Sequence, residues 1–329
     1  MTDRAAPKLP DYGLGAAGLG NLYTAITDDE ATAVLAAARG AEFEYFDTAP
    51  YYGHGLSEKR VGAFLAETGY RPALSTKVGR RLEPAGSNPV PDNGFASPAP
   101  FIPYFDYSAC GIREAFAGSQ ERLGVDSVDM LLLHDVGAMV HGDAHPKILA
   151  QAIDEALPQM AALKAGGKTK WIGLGVNEIR VCEEVLAQVD LDVLLLAGRY
   201  TLLEHAAALP FLNACHIGGL RVVIGGAFNS GLLAASAGEP LRYDYDTAPE
   251  WAVDRAAQLR EVCAAFDVPL PAAALQFCKA HPAVASVIPG AKSAEQVRQI
   301  SEWSRHPIDS GLWDALKERQ LISAEAPVS

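Results

Sequence analysis

The sequence predicts an α/β fold, a closed (β/α)8 TIM barrel, from three observations. Eight short apolar runs are bounded by Gly, Pro or polar residues, helical patterns fall between them, and 329 residues suffice for one large core. Strands separated by helices pair in parallel, because a parallel crossover needs a helix-length connection. An open doubly wound sheet gives the same alternation, since periodicity does not report closure. Residues 1–329 are read as a single barrel domain.

The expected strands, in order, are Leu14–Gly15, Glu42–Thr48, Ala73–Lys77, Val128–His134, Trp171–Gly175, Val193–Leu196, Arg221–Gly225 and Val284–Ile288. The expected helices are Asp28–Ala38, Ser57–Glu67, Ser108–Leu123, Lys147–Ala165, Glu178–Gln188, Ala206–Ile217, Glu250–Phe266 and Ala294–Trp303. Thr27 and Glu30 have the spacing of a capping box, which fixes the start of the first helix.

Three segments break the rhythm. Arg80–Tyr107 is rich in Pro, Gly and Asn and carries Phe95, Phe101, Tyr104, Phe105 and Tyr107, so it reads as a long loop walling a pocket; a hydrophobic cover over one barrel end is the plainer reading. Ser236–Pro249 and the tail after Leu321 lack periodicity and are expected at the surface.

Hydrophobic residues make up 49% and charged residues 20%, a balance that supports a folded core. A formal net charge of −13 without any Lys/Arg run argues against a nucleic-acid partner. Five cysteines, scattered and free of CxxC spacing, signal neither a disulfide framework nor zinc. The start of the chain lacks the apolar stretch of a signal peptide, and no run of about 18 apolar residues occurs. The expectation is a soluble cytoplasmic protein with no membrane partner; its oligomeric state leaves no mark on one sequence.

Gly13, Gly15 and Gly18 spell GxGxxG, but the preceding Lys8-Leu9-Pro10-Asp11-Tyr12 is too short and Pro-broken for the strand a dinucleotide fingerprint requires; strand-end and turn glycines are the simpler account. His141, Asp143 and His145 offer metal-ligand atoms beside Gly142 and Pro146, where no helix would fix them, so a solvated loop without metal is expected.

The informative constellation is Asp47, Tyr52, Lys77 and His134. Each lies at or just beyond the carboxyl end of an expected strand, the face on which barrel active sites are built. Singly, each has a structural explanation: Lys77 as a partner for Asp47, His134 as a satisfied core histidine. Jointly they suit proton transfer, since a lysine near a phenol favours the phenolate and draws its pKa down from about 10, while Asp47 holds the lysine charged.

The run Phe46-Asp47-Thr48-Ala49-Pro50-Tyr51-Tyr52-Gly53 with Ser57-Glu58, then Ser75-Thr76-Lys77, Leu133-His134-Asp135, Gly173-Leu174-Gly175-Val176-Asn177 and Ile288-Pro289-Gly290-Ala291-Lys292-Ser293, resembles the aldo-keto reductases from Gly13 to about Ile300. Asn177-Glu178 and Tyr104-Phe105-Asp106-Tyr107-Ser108 look like its sugar 1-dehydrogenase branch (L-fucose, D-threo-aldose, galactose), to which pyridoxal 4-dehydrogenase is similar.

The resemblance implies oxidation of an aldose at C1 to a lactone, with Tyr52 as general acid/base, Lys77 and Asp47 tuning it, and His134 orienting the substrate oxygen. It also implies a dinucleotide across the barrel mouth. Asn177 would hold its carboxamide, Ala227, Phe228, Asn229, Ser230 and Gly231 its pyrophosphate, and Gly290, Lys292, Ser293 and Gln296 its adenosine end. Gln296 stands where NADP-preferring members often carry Arg, which favours NAD; Lys292 keeps NADP possible. Ala197, Gly225 and Ile300 depart from the family pattern. An NADPH-dependent aldehyde reductase and a non-catalytic dinucleotide-sensing subunit are the remaining readings.

Overall fold

The structure is a computed structural model that describes residues 8–236 and 238–328. Its strands are β1 (Leu14–Gly15), β2 (Tyr45–Asp47), β3 (Ala73–Val78), β4 (Arg80–Pro84), β5 (Phe101–Phe105), β6 (Val128–His134), β7 (Thr169–Val176), β8 (Val193–Ala197), β9 (Arg221–Gly225), β10 (Arg242–Tyr243), β11 (Asp246–Thr247) and β12 (Val284–Ile288). Eight of them form one parallel sheet in the order β1-β2-β3-β6-β7-β8-β9-β12. Parallel bridges Tyr12 to Val287 and Gly15 to Gly290 bring β12 back against β1, so the sheet closes and the open alternative falls.

Period-two alternation sorts the strand side chains into two cores. Tyr45, Met130, Leu132, Val193, Leu195, Val223 and Ile288 fill the barrel, whereas Leu131, Leu133, Leu194 and Leu196 join the larger layer between barrel and helices. Asp47 follows Tyr45 by two residues, Lys77 follows Ser75, and His134 follows Leu132. The same alternation therefore lifts those three polar groups above the apolar plug at the carboxyl end.

The GxGxxG glycines serve closure. A Cβ on Gly13 would sit 2.6 Å from the Tyr45 carbonyl and one on Gly18 2.5 Å from the Ala291 carbonyl, so backbones that must meet here exclude any side chain. Thr27 caps the helix Asp28–Gly40 in the expected reciprocal box with Glu30.

Several expectations are corrected. Arg80–Tyr107 is not irregular throughout: β4 and β5 pair antiparallel from Arg80 with Phe105 to Pro84 with Phe101, and only the connection between them is a loop. Ser236–Pro249 does lie at the surface, but its described residues include the short β10–β11 ladder. The tail buries Leu321, Ile322 and Ala326 in the outer core. The helix expected from Lys147 starts at His145 and runs through a π turn at Ala152–Ala156 to Ala165.

Among the described residues, two helices longer than one turn escaped the sequence reading, Leu270–Ala280 and Ser310–Glu318. The first is buried along nearly its whole circumference (Ala272, Ala273, Ala274, Leu275, Phe277, Cys278), which erases the amphipathic stripe on which such readings depend. No single described helix is long and apolar enough to cross a membrane.

Candidate active site

The four converging residues meet as expected. Lys77 Nζ donates to Asp47 Oδ2 at 2.7 Å, to the Thr48 carbonyl at 3.0 Å and to Tyr52 Oη at 3.0 Å, which uses all three ammonium hydrogens. Ser75 Oγ donates to the second Asp47 oxygen at 2.6 Å and receives the Tyr45 hydroxyl at 2.9 Å. The lysine stem has room because Gly175 lies beside it; a Cβ there would stand 3.2 Å from Lys77 Cε. Across the mouth, the His134 ring meets the Tyr52 ring edge-on with centroids 6.1 Å apart.

Burial raises the Tyr52 phenol well above its ordinary pKa, Asp47 and Asp135 reinforce this, and Arg80 offsets part of it. The expected downward pull is thus corrected: burial and the Asp47 carboxylate that Lys77 brings with it outweigh the lysine charge. Burial also holds His134 neutral, with a pKa of about 3 despite the nearby Asp135. At neutral pH the site presents a protonated phenol and a neutral imidazole.

Sequence reasoning missed the groups flanking this pair. Asp135, the residue after His134, adopts φ +50° and turns its carboxylate to within 3.5 Å of His134 Nε2. Arg80, two residues beyond β3, pairs with it, its guanidinium held 3.8 Å from the Tyr51 ring centroid and 4.3 Å from that of Phe105. Phe95, from the β4–β5 connection, is buried against Tyr51 and Tyr52, so the segment does wall the mouth.

His141 and His145 do not lie in a solvated loop. His141 Nε2 hydrogen-bonds the Tyr107 hydroxyl, which donates to the His134 and Asp135 carbonyls, while His145 is buried between the Val136 carbonyl and Glu184. They brace the strand end that carries His134. Among the described residues no group of three or more candidate ligands could hold a metal ion.

The residues expected around a dinucleotide line the mouth unequally. Asn177 Nδ2 donates to the Ala197 carbonyl at 3.1 Å, which fixes its amide plane. Asn229, Ser230 and Gly231 take positive φ in succession, and a Cβ on Gly231 would meet nothing within 4 Å, leaving an open backbone cradle suited to phosphate. The side chains of Ala227 and Phe228 are buried, so these two can offer backbone alone. Asn229 spends its Nδ2 on Glu204.

Ser293 caps the helix Ala294–Ser304, and Gln296 folds back to accept from the Lys292 backbone N–H at 2.9 Å. Gly290 is open apart from the Gly15 carbonyl, at 3.7 Å from an added Cβ. Ile300 is buried and faces the core. A glycine-lined cradle beside a capped helix start fits a nicotinamide dinucleotide.

The β10–β11 turn crosses this cradle. Arg199 clasps Asp244 with two bonds of 3.0 and 2.8 Å, the Tyr243 hydroxyl donates to Glu204, and the Tyr245 N–H donates to Ser230 Oγ. Asp244 and Tyr245 both have positive φ.

Comparison with known proteins agrees with this geometry. The model of the aldo/keto reductase family matches residues 12–320. The chain is 43% identical over 323 residues to a D-threo-aldose 1-dehydrogenase of Pseudomonas sp, covering 95% of each, and 40% identical over 322 residues to a pyridoxal 4-dehydrogenase of Microbacterium luteolum, covering 94% of each. Among solved structures, an aldo-keto reductase of Bacillus halodurans in its holo form superposes with TM-score 0.74 at 25% identity, over 98% of this chain and 94% of that one.

Proposed function

Because the chain belongs to the aldo/keto reductase family and is a nicotinamide-dependent oxidoreductase, we propose that it oxidises an aldose at its anomeric carbon to the lactone. The observation that carries this reading is the hydrogen-bonded chain Asp47–Lys77–Tyr52 facing His134 beneath one mouth. The similarity to a D-threo-aldose 1-dehydrogenase supports the substrate class.

The anomeric hydroxyl binds between Tyr52 Oη and His134 Nε2. In its deprotonated form Tyr52 takes that proton as general base, Lys77 stabilises the phenolate that must be present beforehand, and Asp47 keeps Lys77 paired and fixed. Neutral His134 donates one hydrogen bond that orients the substrate oxygen without adding charge. When bound, the dinucleotide supplies the hydride acceptor. Asn177, the backbone of 227–231 and the segment Gly290–Gln296 would hold it. With Gln296 turned back onto Lys292 N–H, a 2′-phosphate lacks a forked partner, so NAD is the proposed cofactor; the exposed Lys292 amino group is the one feature favouring NADP.

A second reading, pyridoxal oxidation, is favoured by the 40% identity to a pyridoxal 4-dehydrogenase. The test is absorbance at the reduced-nicotinamide band with NAD or NADP and, in turn, L-fucose, D-arabinose, galactose, L-galactose and pyridoxal. A rise with a sugar supports the proposal; a rise with pyridoxal alone replaces it by the second reading, and silence with all five overturns both.

A further inference from the structure

Asp135 combines four features that the proton-transfer machinery leaves unused. It sits in the left-handed region at φ +50°, uncommon for a residue other than glycine. Its Oδ2 is held by Arg80 and stands 3.5 Å from His134 Nε2, the nitrogen assigned to the substrate oxygen. Its Oδ1 accepts no hydrogen bond from the described residues and is not among the buried unpartnered atoms, so it is an open acceptor. Arg80 in turn is immobilised between the Tyr51 and Phe105 rings.

Tyr107 clamps the carbonyls of His134 and Asp135 and so holds this backbone angle in place. The same site gains nothing for proton transfer from a second carboxylate, whose charge only pushes Tyr52 further up. Its chemistry suits something else, a hydroxyl donor on the carbon next to the one that reacts.

We propose that Asp135, anchored by Arg80, is a substrate-reading residue that accepts a hydrogen bond from a hydroxyl adjacent to the reacting carbon, and so selects α-hydroxylated aldehydes and aldoses over their deoxy counterparts. The inference rests on the reading of this mouth as the place where the reacting oxygen sits between Tyr52 and His134. Distance supports adjacency: Asp135 Oδ2 stands 3.5 Å from His134 Nε2, and Oδ1 on the same carboxyl group is the oxygen left for a hydroxyl on the neighbouring carbon of a substrate bound to that nitrogen. Hydrogen bonds to an ionised acceptor are the stronger kind, and a site built for a hydroxyl rejects the analogue lacking it. Arg80 balances the charge, so the acceptor stays ionised without making the mouth strongly anionic.

The test is a substrate-by-variant comparison in the reductive direction, glyceraldehyde against propanal with reduced nicotinamide dinucleotide, for the wild type and Asp135→Asn. Asparagine tolerates the left-handed conformation, so the backbone should persist; thermal melting and dinucleotide affinity check this. Wild type should favour glyceraldehyde in kcat/KM, and Asp135→Asn should cut that preference by about 10–100-fold, the range for a hydrogen bond to a charged group. If Asp135→Asn does not fold, Arg80→Met, which frees the carboxylate from its anchor, should shrink the preference in the same sense.

Equal losses on both aldehydes, or no wild-type preference, overturns the proposal. Failure to oxidise any aldose, combined with a preference that collapses in Asp135→Asn, overturns the aldose reading while leaving Asp135 in its role.

Discussion

Lys77 Nζ lies 3.0 Å from Tyr52 Oη along a direct hydrogen bond, with the ammonium also 4.5 Å from the centre of the tyrosine ring. The cation therefore touches the one oxygen whose charge must change during the proposed reaction, and it does so inside a barrel where water offers little competing solvation.

Removal of that oxygen gives the first expectation. Tyr52→Phe should lower turnover by about 10²–10⁴-fold, the usual loss for a general acid/base, with dinucleotide affinity nearly kept. Steady-state kinetics with fluorescence titration of the cofactor would check both halves, and near-normal turnover would remove Tyr52 from its role.

Lys77 and Asp47 form a buried pair with side chains 1% and 3% exposed. Lys77→Met should cost about 3–5 kcal/mol of stability, because it strands the Asp47 carboxylate away from water. Lys77→Met combined with Asp47→Leu should recover part of that loss while activity stays low. Chemical denaturation of wild type and the two variants separates the stability effect from the catalytic one; a double variant no more stable than Lys77→Met would contradict it.

The raised phenol of Tyr52 sets the direction of a pH profile. Oxidation needs the deprotonated form, whose fraction grows about tenfold per pH unit below the pKa, so oxidative kcat/KM should climb from pH 7 towards pH 10 while reduction, which uses the protonated form, stays level. A flat oxidative profile would argue that another group exchanges the proton.

Three histidines are held neutral by the fold. His134 is pushed down to about 3, and His205 and His281 to about 4, in each case mainly by burial. Geometry agrees for the latter two: His205 Nε2 accepts from Ser323 N–H and His281 Nδ1 from Ala283 N–H, contacts a second ring proton would destroy. The unfolded chain binds these protons near pH 6.5 and the folded one only near 3–4. Stability should thus be full above about pH 6.5 and fall as pH drops through that window, by about 1.4 kcal/mol per unit for each histidine. Urea midpoints at pH 7 and pH 5 test it; His205→Gln should flatten the dependence.

The turn at Asp244-Tyr245 is expected to govern cofactor exchange. Asp244→Ala releases Arg199 and should weaken dinucleotide binding by less than tenfold, chiefly through faster dissociation, since one partly exposed ion pair is worth about 1 kcal/mol. Stopped-flow release of reduced cofactor measures this; unchanged dissociation would show that the turn does not gate the site.

Much of this architecture was legible because barrel strands announce themselves by apolar runs and because Asp47, Lys77 and His134 stand at their ends. β6, β9 and β12 begin and end where the pattern places them. The hairpin β4–β5 was not legible, since its cross-strand partners Arg80 and Phe105 are separated by a Pro- and Gly-rich connection that masks strand alternation. Asp135 was visible as a letter, yet its role depends on a left-handed backbone angle and on an arginine from another segment. Tyr245 escaped for a similar reason: its N–H meets Ser230 through a turn that composition alone marks as surface.

Gly15 pairs with Asp47 on one side and with Gly290 on the other, so a residue near the beginning of the chain joins the proton-transfer strand to the cofactor segment near its end. The ribosome must therefore release β12 and Gly290, far downstream of β1, before that seam can zip, and loop closure over such a span is slow. A nascent chain awaiting β12 has no complete cradle, and free dinucleotide gives it little help in folding; only after closure does mass action begin to favour the native state. Chains cut short before residue 284 would then accumulate as protease-sensitive species whatever the cofactor concentration, whereas full-length protein would be protected in proportion to it.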